Sequence, residues 1–258
     1  MGDSLSTADD LVDALHGAAD AGEVSRIRAR VADDEPVIGV RMGTLFDIAK
    51  RATDVPRTEL EALFAHPAYE PRLAAFCILD FRARRRLDDE GRADLAGLYL
   101  DHHDAVSTWD MVDRAAPRVL GWPVLVGATA FSVLQDLTRS RDPLRRRSAI
   151  TAPLWFIKKG SDADVRRGLE IADRLAEDRH PRVASAVTIY RKHASGKRRV
   201  VVMRCKPVGV SLGLGGPALG AQPLARLAGR SYESLGFARM GKRQVGELFE
   251  VILWERGI

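Results

Sequence analysis

The sequence predicts an all-α fold, a solenoid of repeated helix pairs, followed by a small irregular C-terminal appendage in which β-strands are expected. Apolar residues recur at helical spacing through most of the 258 residues, and aromatic residues make up only 6%. Helices introduced by proline recur at a fixed interval, which indicates a structural repeat. After Ala194 the helical pattern stops and glycine becomes frequent.

The repeat is marked by three prolines. Pro67, Pro143 and Pro181 each precede an apolar helical segment, and they are 76 and 38 positions apart, so one interval is twice the other. One period after Pro67 falls at Ala105, just before another helical segment. A period of about 40 residues with two helices per unit is typical of HEAT-like repeats, which stack into a curved solenoid.

The helices of the repeat region follow one another with short breaks. The first has Leu11, Val12 and Leu15 on one stripe behind an acidic first turn. Pro56 is expected at the first position of a later helix, where its missing N–H costs nothing. Periodicity, caps and breaks together predict helices over residues 7–21, 23–31, 42–52, 56–65, 69–84, 90–102, 107–121, 124–138, 144–158, 163–176 and 182–194.

A different kind of sequence begins near residue 196. Val200–Met203 is predicted to be a strand, residues 209–220 are rich in glycine, and residues 244–256 are predicted to form a strand pair. We therefore expect a helical-repeat domain over 1–196 and a basic tail over 197–258. The tail has 11 Lys and Arg against 4 Asp and Glu, whereas the preceding domain has 29 against 31. The net charge of +5 is thus no evidence that the domain binds nucleic acid.

Composition excludes several other classes of protein. Cys77 and Cys205 are far apart and have no Cys or His at ligand spacing, so neither a zinc site nor a disulfide framework is predicted. No apolar run approaches the roughly 18 residues that a membrane span needs, and the N-terminus does not resemble a signal peptide. We expect a cytoplasmic protein without metal, cofactor or membrane attachment.

The segment 107–121 carries the first candidate site residues. It is predicted to be a helix that begins behind a Ser or Thr cap and ends at Gly121. Trp109 and Asp113 are four residues apart, so an indole and a carboxylate lie on the same helix face. The alternative is a half-buried core tryptophan beside a surface aspartate that pairs with Arg114 or Arg118.

The repeat register adds Arg147 to this face. Trp109 lies four residues after Ala105, and Arg147 lies four residues after Pro143, so the two occupy equivalent positions in adjacent units. Equivalent positions of a solenoid stack along one face. We therefore expect Trp109, Asp113 and Arg147 to line one wall of the solenoid, the concave one.

Basic residues concentrate on the same part of the chain. Residues 139–159 contain seven Lys and Arg, Lys158 among them, against a single acidic residue. Arg145, Arg146 and Arg147 are consecutive, so on a helix they fan over about 200° and cannot all face one ligand. The alternative for such a run is an ordinary solvated face.

Two segments together resemble a known family. They lie at 109–117 and 142–150 and read WDMVDRAAP and DPLRRRSAI. In combination they resemble the bacterial DNA alkylation repair family, the AlkD-like glycosylases. Residues 39–50 and 74–81 are similar to the same family, and the resemblance covers roughly residues 20–195.

The resemblance implies a monomeric HEAT-like solenoid that holds duplex DNA on its concave face and excises cationic alkylated purines, such as 3-methyladenine and 7-methylguanine, without a flipped-base pocket. It implies that Asp113 is the catalytic carboxylate, that Trp109 packs against the deoxyribose of the lesion, and that Arg147 contacts phosphate. The predicted DNA-binding residues are Arg145, Arg146, Arg147 and Lys158.

Elementary chemistry supports these roles. An N-alkylated purine is positively charged, so its glycosidic bond is weak and the leaving base needs no protonation. A carboxylate stabilises the oxocarbenium character of the sugar and orients the attacking water. An aromatic wall adds cation–π attraction of about 0.5–2 kcal/mol, and an arginine supplies a bidentate grip on phosphate.

One position departs from the family pattern. The family's second tryptophan corresponds to Thr188, and Tyr190 lies two positions away on another face. Trp122, Trp155 and His193 could supply aromatic surface instead, although a tryptophan in an apolar run such as that around Trp155 is typical of a core. The second function that the sequence allows is a non-catalytic HEAT-like module that binds DNA or a protein through its concave face.

The tail has a separate resemblance. Residues 231–237 followed by 249–256 are similar to the closing helix and strands of a GNAT-type N-acetyltransferase. Residues 197–258 are too few to build that whole fold, so acyl transfer is not predicted. A GNAT-like fragment and a disordered tail are the alternatives for this part of the chain.

Overall fold

The structure is a computed structural model, and it describes residues 4–197, 200–203, 237–244 and 250–256. Contacts divide the chain into two compact units, Met1–Arg191 and Lys192–Ile258. The predicted boundary near residue 196 stays a prediction.

The first unit is built from α-helices, as the sequence predicts. None of the helices within the described ranges is long and apolar enough to cross a membrane. The α-helices are α1 (Ala8–Gly17), α2 (Ala21–Arg28), α3 (Met42–Arg51), α4 (Arg57–Phe64), α5 (Tyr69–Arg82), α6 (Asp89–Asp101), α7 (Trp109–Ala115), α8 (Gly121–Val126), α9 (Ser132–Leu137), α10 (Pro143–Thr151), α11 (Leu154–Lys159), α12 (Asp162–Arg174) and α13 (Pro181–Lys197).

Helices of the first unit pack against one another in chain order. α5, α7, α10 and α13 begin at Tyr69, Trp109, Pro143 and Pro181, at intervals of 40, 34 and 38 residues, whereas the predicted period is about 40. α3 packs on α5, α5 on α7, α7 on α10, and α10 on α12. This succession confirms the helical-repeat prediction, and it brings residues of α7 and α10 side by side.

Side-chain caps explain why several helix starts could be predicted within one residue. Thr7 and Ser161 form capping boxes at α1 and α12, and Asp142 accepts a hydrogen bond from the Leu144 N–H at α10. Pro56 lies at the N-cap of α4 rather than at its first helical position. Local hydrogen bonding thus decides where these helices begin.

The prediction that the Trp109 helix ends at Gly121 is wrong. After Ala115 the backbone continues as a π-helical segment, Ala116–Leu120, and Gly121 begins α8. The segment contains Pro117, which has no N–H to donate to the α-helical ladder. Gly121 serves a close helix approach instead, because a Cβ atom there would lie 2.1 Å from the Ala152 carbonyl oxygen.

Two predicted long helices are each divided in the structure. The helix predicted over 124–138 is interrupted after α8, where Gly127 has a left-handed φ of 86° and supplies the C-cap. The helix predicted over 144–158 is divided into α10 and α11 at Pro153. Apolar periodicity continues across both breaks, and for this reason the pattern alone did not reveal them.

A buried carboxylate fixes the loop before α3. Glu70 is fully buried, and its carboxylate accepts hydrogen bonds from the backbone N–H groups of Ile38, Gly39 and Val40 at 3.0, 2.7 and 3.3 Å. Gly39 has a φ of 94°, a backbone conformation that residues with a side chain rarely adopt. The loop is therefore tied to the first turn of α5 by polar contacts that compensate the burial of its backbone.

The described part of the second unit is a three-stranded antiparallel sheet in the order β1, β3, β2. β1 is Val200–Met203, as predicted, β2 is Phe237–Gln244 and β3 is Glu250–Arg256. The prediction that residues 244–256 hold both strands of a pair is wrong, because β3 pairs with β1 and with the earlier strand β2. The glycine-rich stretch and Cys205 lie outside the described residues.

Candidate functional site

α7 presents Trp109 and Asp113 on one face. The Trp109 side chain is 39% exposed and that of Asp113 is 34% exposed. Trp109 is therefore half-buried and not enclosed in the core. Thr108 occupies the N-cap position, although its side chain makes no capping hydrogen bond.

Asp110 anchors the start of α7 to the rest of the helical unit. The Tyr69 hydroxyl donates to Asp110 Oδ2 at 2.5 Å, the Thr108 hydroxyl donates to Oδ1, and Arg30 Nε lies 3.7 Å from Oδ2. Burial and the Asp110 charge raise the pKa of Tyr69, so its hydroxyl stays protonated and continues to donate. These contacts hold the backbone from which Trp109 and Asp113 project.

Arg147 of α10 pairs with Asp113 in bidentate geometry. Nε donates to Oδ1 at 2.9 Å and Nη2 donates to Oδ2 at 2.7 Å, while the guanidinium carbon lies 5.6 Å from the centre of the Trp109 ring. Nη1 donates to the Arg182 carbonyl and, at 3.4 Å, to Ser185 Oγ. The structure thus brings together the three residues that the repeat register placed on one wall.

The pairing of Asp113 with Arg147 bears on two predictions, the surface pairing of Asp113 and the phosphate contact of Arg147. The surface alternative paired Asp113 with Arg114 or Arg118, whereas both bonds to its carboxylate come from Arg147. Arg147 itself is only 4% exposed, and all three of its guanidinium nitrogens donate to protein acceptors. A phosphate contact by Arg147 stays a prediction, and the arrangement favours a role in positioning Asp113.

The three consecutive arginines of α10 point in different directions, as their helical spacing predicts. Arg145 pairs with Asp104 at 2.8 Å, and Arg146 pairs with Asp178 at 2.6 Å. Neither of them contacts Asp113, and their predicted roles in DNA binding stay predictions. Lys158 of α11 does join the site, because it lines a cavity together with Asp113.

This cavity has a volume of about 300 Å³ and is bounded by α5, α7, the π-helical segment and α11. Sequence reasoning missed most of its charged residues. Asp80 and Arg114 lie inside the segments 74–81 and 109–117, but neither they nor Arg118 form a pattern that indicates a charged cluster. Arg84 resembles an ordinary charge at the C-terminus of a helix. Only the packing of three helices brings them to one place. The lining residues are Asp80, Arg84, Asp113, Arg114, Pro117, Arg118, Leu154, Trp155 and Lys158.

The other aromatic candidates are mostly structural. Trp155 is 6% exposed and stacks on Trp122 with ring centres 5.1 Å apart, in agreement with the core interpretation of Trp155. Tyr190 is fully buried, and its hydroxyl donates to the Val165 carbonyl at 3.1 Å. It therefore does not replace an aromatic side chain at the exposed position of Thr188.

A buried polar group supports α10 next to Arg147. The Ser148 hydroxyl lies 2.7 Å from the Tyr99 hydroxyl and 2.8 Å from His103 Nε2, and all three side chains are fully buried. Burial lowers the pKa of His103 to about 4. The neutral imidazole is thus the form that the folded protein accommodates at neutral pH.

We expect His103 to reduce the free energy of unfolding as the pH falls from about 6.5 towards 4. The unfolded chain binds a proton near pH 6.5, while the folded chain does so only near pH 4. Between these values the unfolded state holds more protons, so stability decreases with falling pH, by about 2 kcal/mol at pH 5. Urea unfolding at about pH 7.5 and pH 5 measures the effect. His103→Gln should remove this part of the pH dependence, and an unchanged dependence would contradict the assignment.

The described residues contain no group of three or more His, Cys, Asp or Glu side chains that could hold a metal ion.

A family model described as "DNA alkylation repair enzyme" matches residues 11–199. No curated protein matches the chain.

Proposed function

Because the chain belongs to the DNA alkylation repair enzyme family, we propose that it is a DNA glycosylase that hydrolyses the N-glycosidic bond of cationic alkylated purines, such as 3-methyladenine and 7-methylguanine, in duplex DNA. One observation carries the proposal. A partly exposed carboxylate, Asp113, is held by the buried Arg147 directly beside the exposed indole of Trp109.

This arrangement suits the charge that develops during the reaction. The C1′–N bond breaks with its electron pair moving to the purine, which leaves as a neutral base, and positive charge builds on the sugar. Asp113 stabilises that charge and orients a water molecule, whose oxygen bonds to C1′ and whose proton is released. The exposed face of Trp109 attracts the cationic lesion or sugar. The reaction needs no cofactor.

Arg147 has a positioning role in this proposal. Its two donors fix both oxygens of Asp113, and its contacts with the start of α13 fix the guanidinium in turn. A catalytic group held by a second group that is itself held by the protein is the usual means of keeping reacting atoms aligned. We further propose that the protein acts as a cytoplasmic monomer on duplex DNA.

The test is base release. Purified protein is incubated with methylated duplex DNA, and the released 7-methylguanine and 3-methyladenine are separated by chromatography and measured against time. DNA binding is measured in parallel on unmethylated duplex of the same sequence. We expect release of at least one of the two bases. Binding without release would contradict the proposal.

Binding without release is the behaviour of the second candidate, a non-catalytic module that holds DNA or a protein through the same face. The observation that favours it is Thr188 at the position of the family's second tryptophan. Thr188 is exposed, and its hydroxyl donates to the Ala184 carbonyl of its own helix at 3.0 Å. It therefore offers no aromatic face to a lesion.

We expect Thr188→Trp to increase the rate of base release by about 2- to 30-fold, which corresponds to a cation–π contribution of about 0.5–2 kcal/mol. Ser185 contacts Arg147, and Thr188 is three residues further along the same helix face, so an indole at 188 projects on the side of the site. Ile189→Trp is the matched control, because Ile189 is also exposed but turned by about 100°. Equal rates in both variants would contradict the expectation.

A further inference from the structure

The cavity beside Asp113 contains more positive than negative charge. Arg84, Arg114, Arg118 and Lys158 line it, and Asp113 is already paired with Arg147. This leaves a single carboxylate, Asp80, to compensate four cations. Among the residues that the structure describes, Lys158 has no carboxylate partner at all.

Asp80 organises the arginines around one point. It is 2% exposed, and its oxygens lie 2.5 Å from Arg84 Nη2, 2.6 Å from Arg118 Nη1 and 3.1 Å from Arg114 Nη2. Arg114 and Arg118 project from α7 and the π-helical segment that follows it, whereas Asp80 and Arg84 belong to α5 and the turn after it. One buried carboxylate therefore draws together guanidinium groups from the turn after α5, from α7 and from the π-helical segment.

Aromatic rings fix the cations further. The guanidinium carbon of Arg114 lies 4.2 Å from the centre of the Phe46 ring, and that of Arg118 lies 4.8 Å from the centre of the Trp155 ring. The ammonium of Lys158 lies 5.1 Å from the same Trp155 ring. Cations stacked in this way lose little freedom when an anion arrives, and each guanidinium keeps donors that Asp80 does not use.

The charge of the cavity decides what it can accept. A cationic alkylated purine is repelled by an excess of arginine and lysine, so the cavity is not a pocket for the damaged base. A phosphodiester is attracted, and it is the charged group that duplex DNA places next to every sugar. The face that carries Trp109 and Asp113 thus suits a cationic base or sugar, whereas the cavity suits a phosphate.

We propose that Arg114, Arg118 and Lys158 form a subsite for a backbone phosphate of the duplex next to the nucleotide whose sugar faces Asp113, with Asp80 holding the arginines in place. The inference rests on the proposed function for its choice of ligand. The phosphate contact fixes the register of the DNA on the protein without reading sequence. Asp80 touches no substrate atom and acts through the arginines as a positioning residue.

The experiment measures how duplex binding depends on salt. Affinities of the full chain for unmethylated duplex are determined by fluorescence anisotropy at several salt concentrations, and the slope of log affinity against log salt is compared. Lys158→Gln and Arg118→Gln should each reduce the magnitude of the slope by about one. Arg57→Gln is the matched control, because Arg57 is exposed and pairs with Glu61 on its own helix. It removes the same charge and should leave the slope unchanged.

Two variants are used so that a folding defect in one of them does not decide the test. Arg118 is largely buried and its replacement can perturb folding, whereas Lys158 is exposed and its replacement does not disturb a core. Slopes equal to wild type in both variants would overturn the proposal. A double variant that becomes insensitive to competing inorganic phosphate but keeps the wild-type DNA slope would also overturn it, because the site would then serve free phosphate.

The base-release assay separates this inference from the proposed function. Reduced slopes in a protein that releases no base support the phosphate subsite and contradict the glycosylase. Base release by wild type with unchanged slopes in the variants supports the glycosylase and contradicts the subsite. Each result therefore counts against one proposal alone.

Discussion

Replacing Asp113 with Asn is expected to lower the rate of base release by about 10²- to 10³-fold, the usual cost of removing one group that stabilises transition-state charge. The amide has nearly the shape of the carboxylate and still offers one oxygen to Arg147. It carries no negative charge, however, and cannot stabilise the positive sugar. Duplex affinity should change little, since Asp113 makes no attractive contact with phosphate.

The measurement is single-turnover release of 7-methylguanine by wild type and Asp113→Asn, with thermal unfolding of both proteins as a check of the fold. Asp47→Asn is the matched control, because it makes the same change at an exposed carboxylate that pairs with Lys50 three residues away on its own helix. Release by Asp113→Asn at the wild-type rate would show that another group stabilises the transition state. A variant that no longer binds duplex would assign Asp113 a role in binding.

The repeat register made the centre of the candidate site predictable. Trp109 and Arg147 each lie four residues after a repeat position, and equivalent positions of stacked helices face the same way. The structure places their side chains in contact, with the Arg147 guanidinium 5.6 Å from the Trp109 ring. The spacing did not reveal that Arg147 would be buried and occupied by Asp113, because burial depends on how α13 closes over α10.

The residues of the cavity were harder to predict from the sequence, because they too depend on tertiary packing. Asp80 lies in an apolar helix, and although residues 74–81 resemble the family, no spacing links Asp80 to Arg114 and Arg118, which are more than thirty positions away. Buried ion clusters arise from tertiary packing and carry no period. The helix breaks at Gly127 and Pro153 are a different case, since both residues are visible local signals that apolar periodicity outweighed.

Charge is arranged asymmetrically about Asp113. On one side Arg147 satisfies both of its oxygens, and on the other the cavity holds uncompensated cations around Asp80. A negatively charged backbone is therefore attracted to the cavity, while the one carboxylate able to meet a positive sugar stays fixed beside Trp109. The proposed function requires this division, because it asks one site to hold a polyanion and to stabilise a cation.

Replacing Arg147 with Lys is expected to lower kcat for base release by about 10²-fold with little change in KM. Lysine keeps the charge but offers no planar pair of donors, so Asp113 is no longer held by both oxygens. A misplacement of about 1 Å can cost roughly 10² in rate.

Arg147→Met should also lower the free energy of unfolding by about 2–3 kcal/mol, less than for a fully buried pair because Asp113 is one-third exposed.

The kinetic signature distinguishes this positioning role from the phosphate contact that the family resemblance implies for Arg147. A phosphate contact predicts a raised KM and a salt slope reduced by about one, with kcat largely kept. A positioning role predicts the reverse, and it predicts coupling to Asp113. In the Asp113→Asn background, Arg147→Lys should then cost much less than its 10²-fold effect in wild type, because a residue that acts through the carboxylate has nothing left to position. Full additivity of the two substitutions would show that Arg147 acts on the DNA directly.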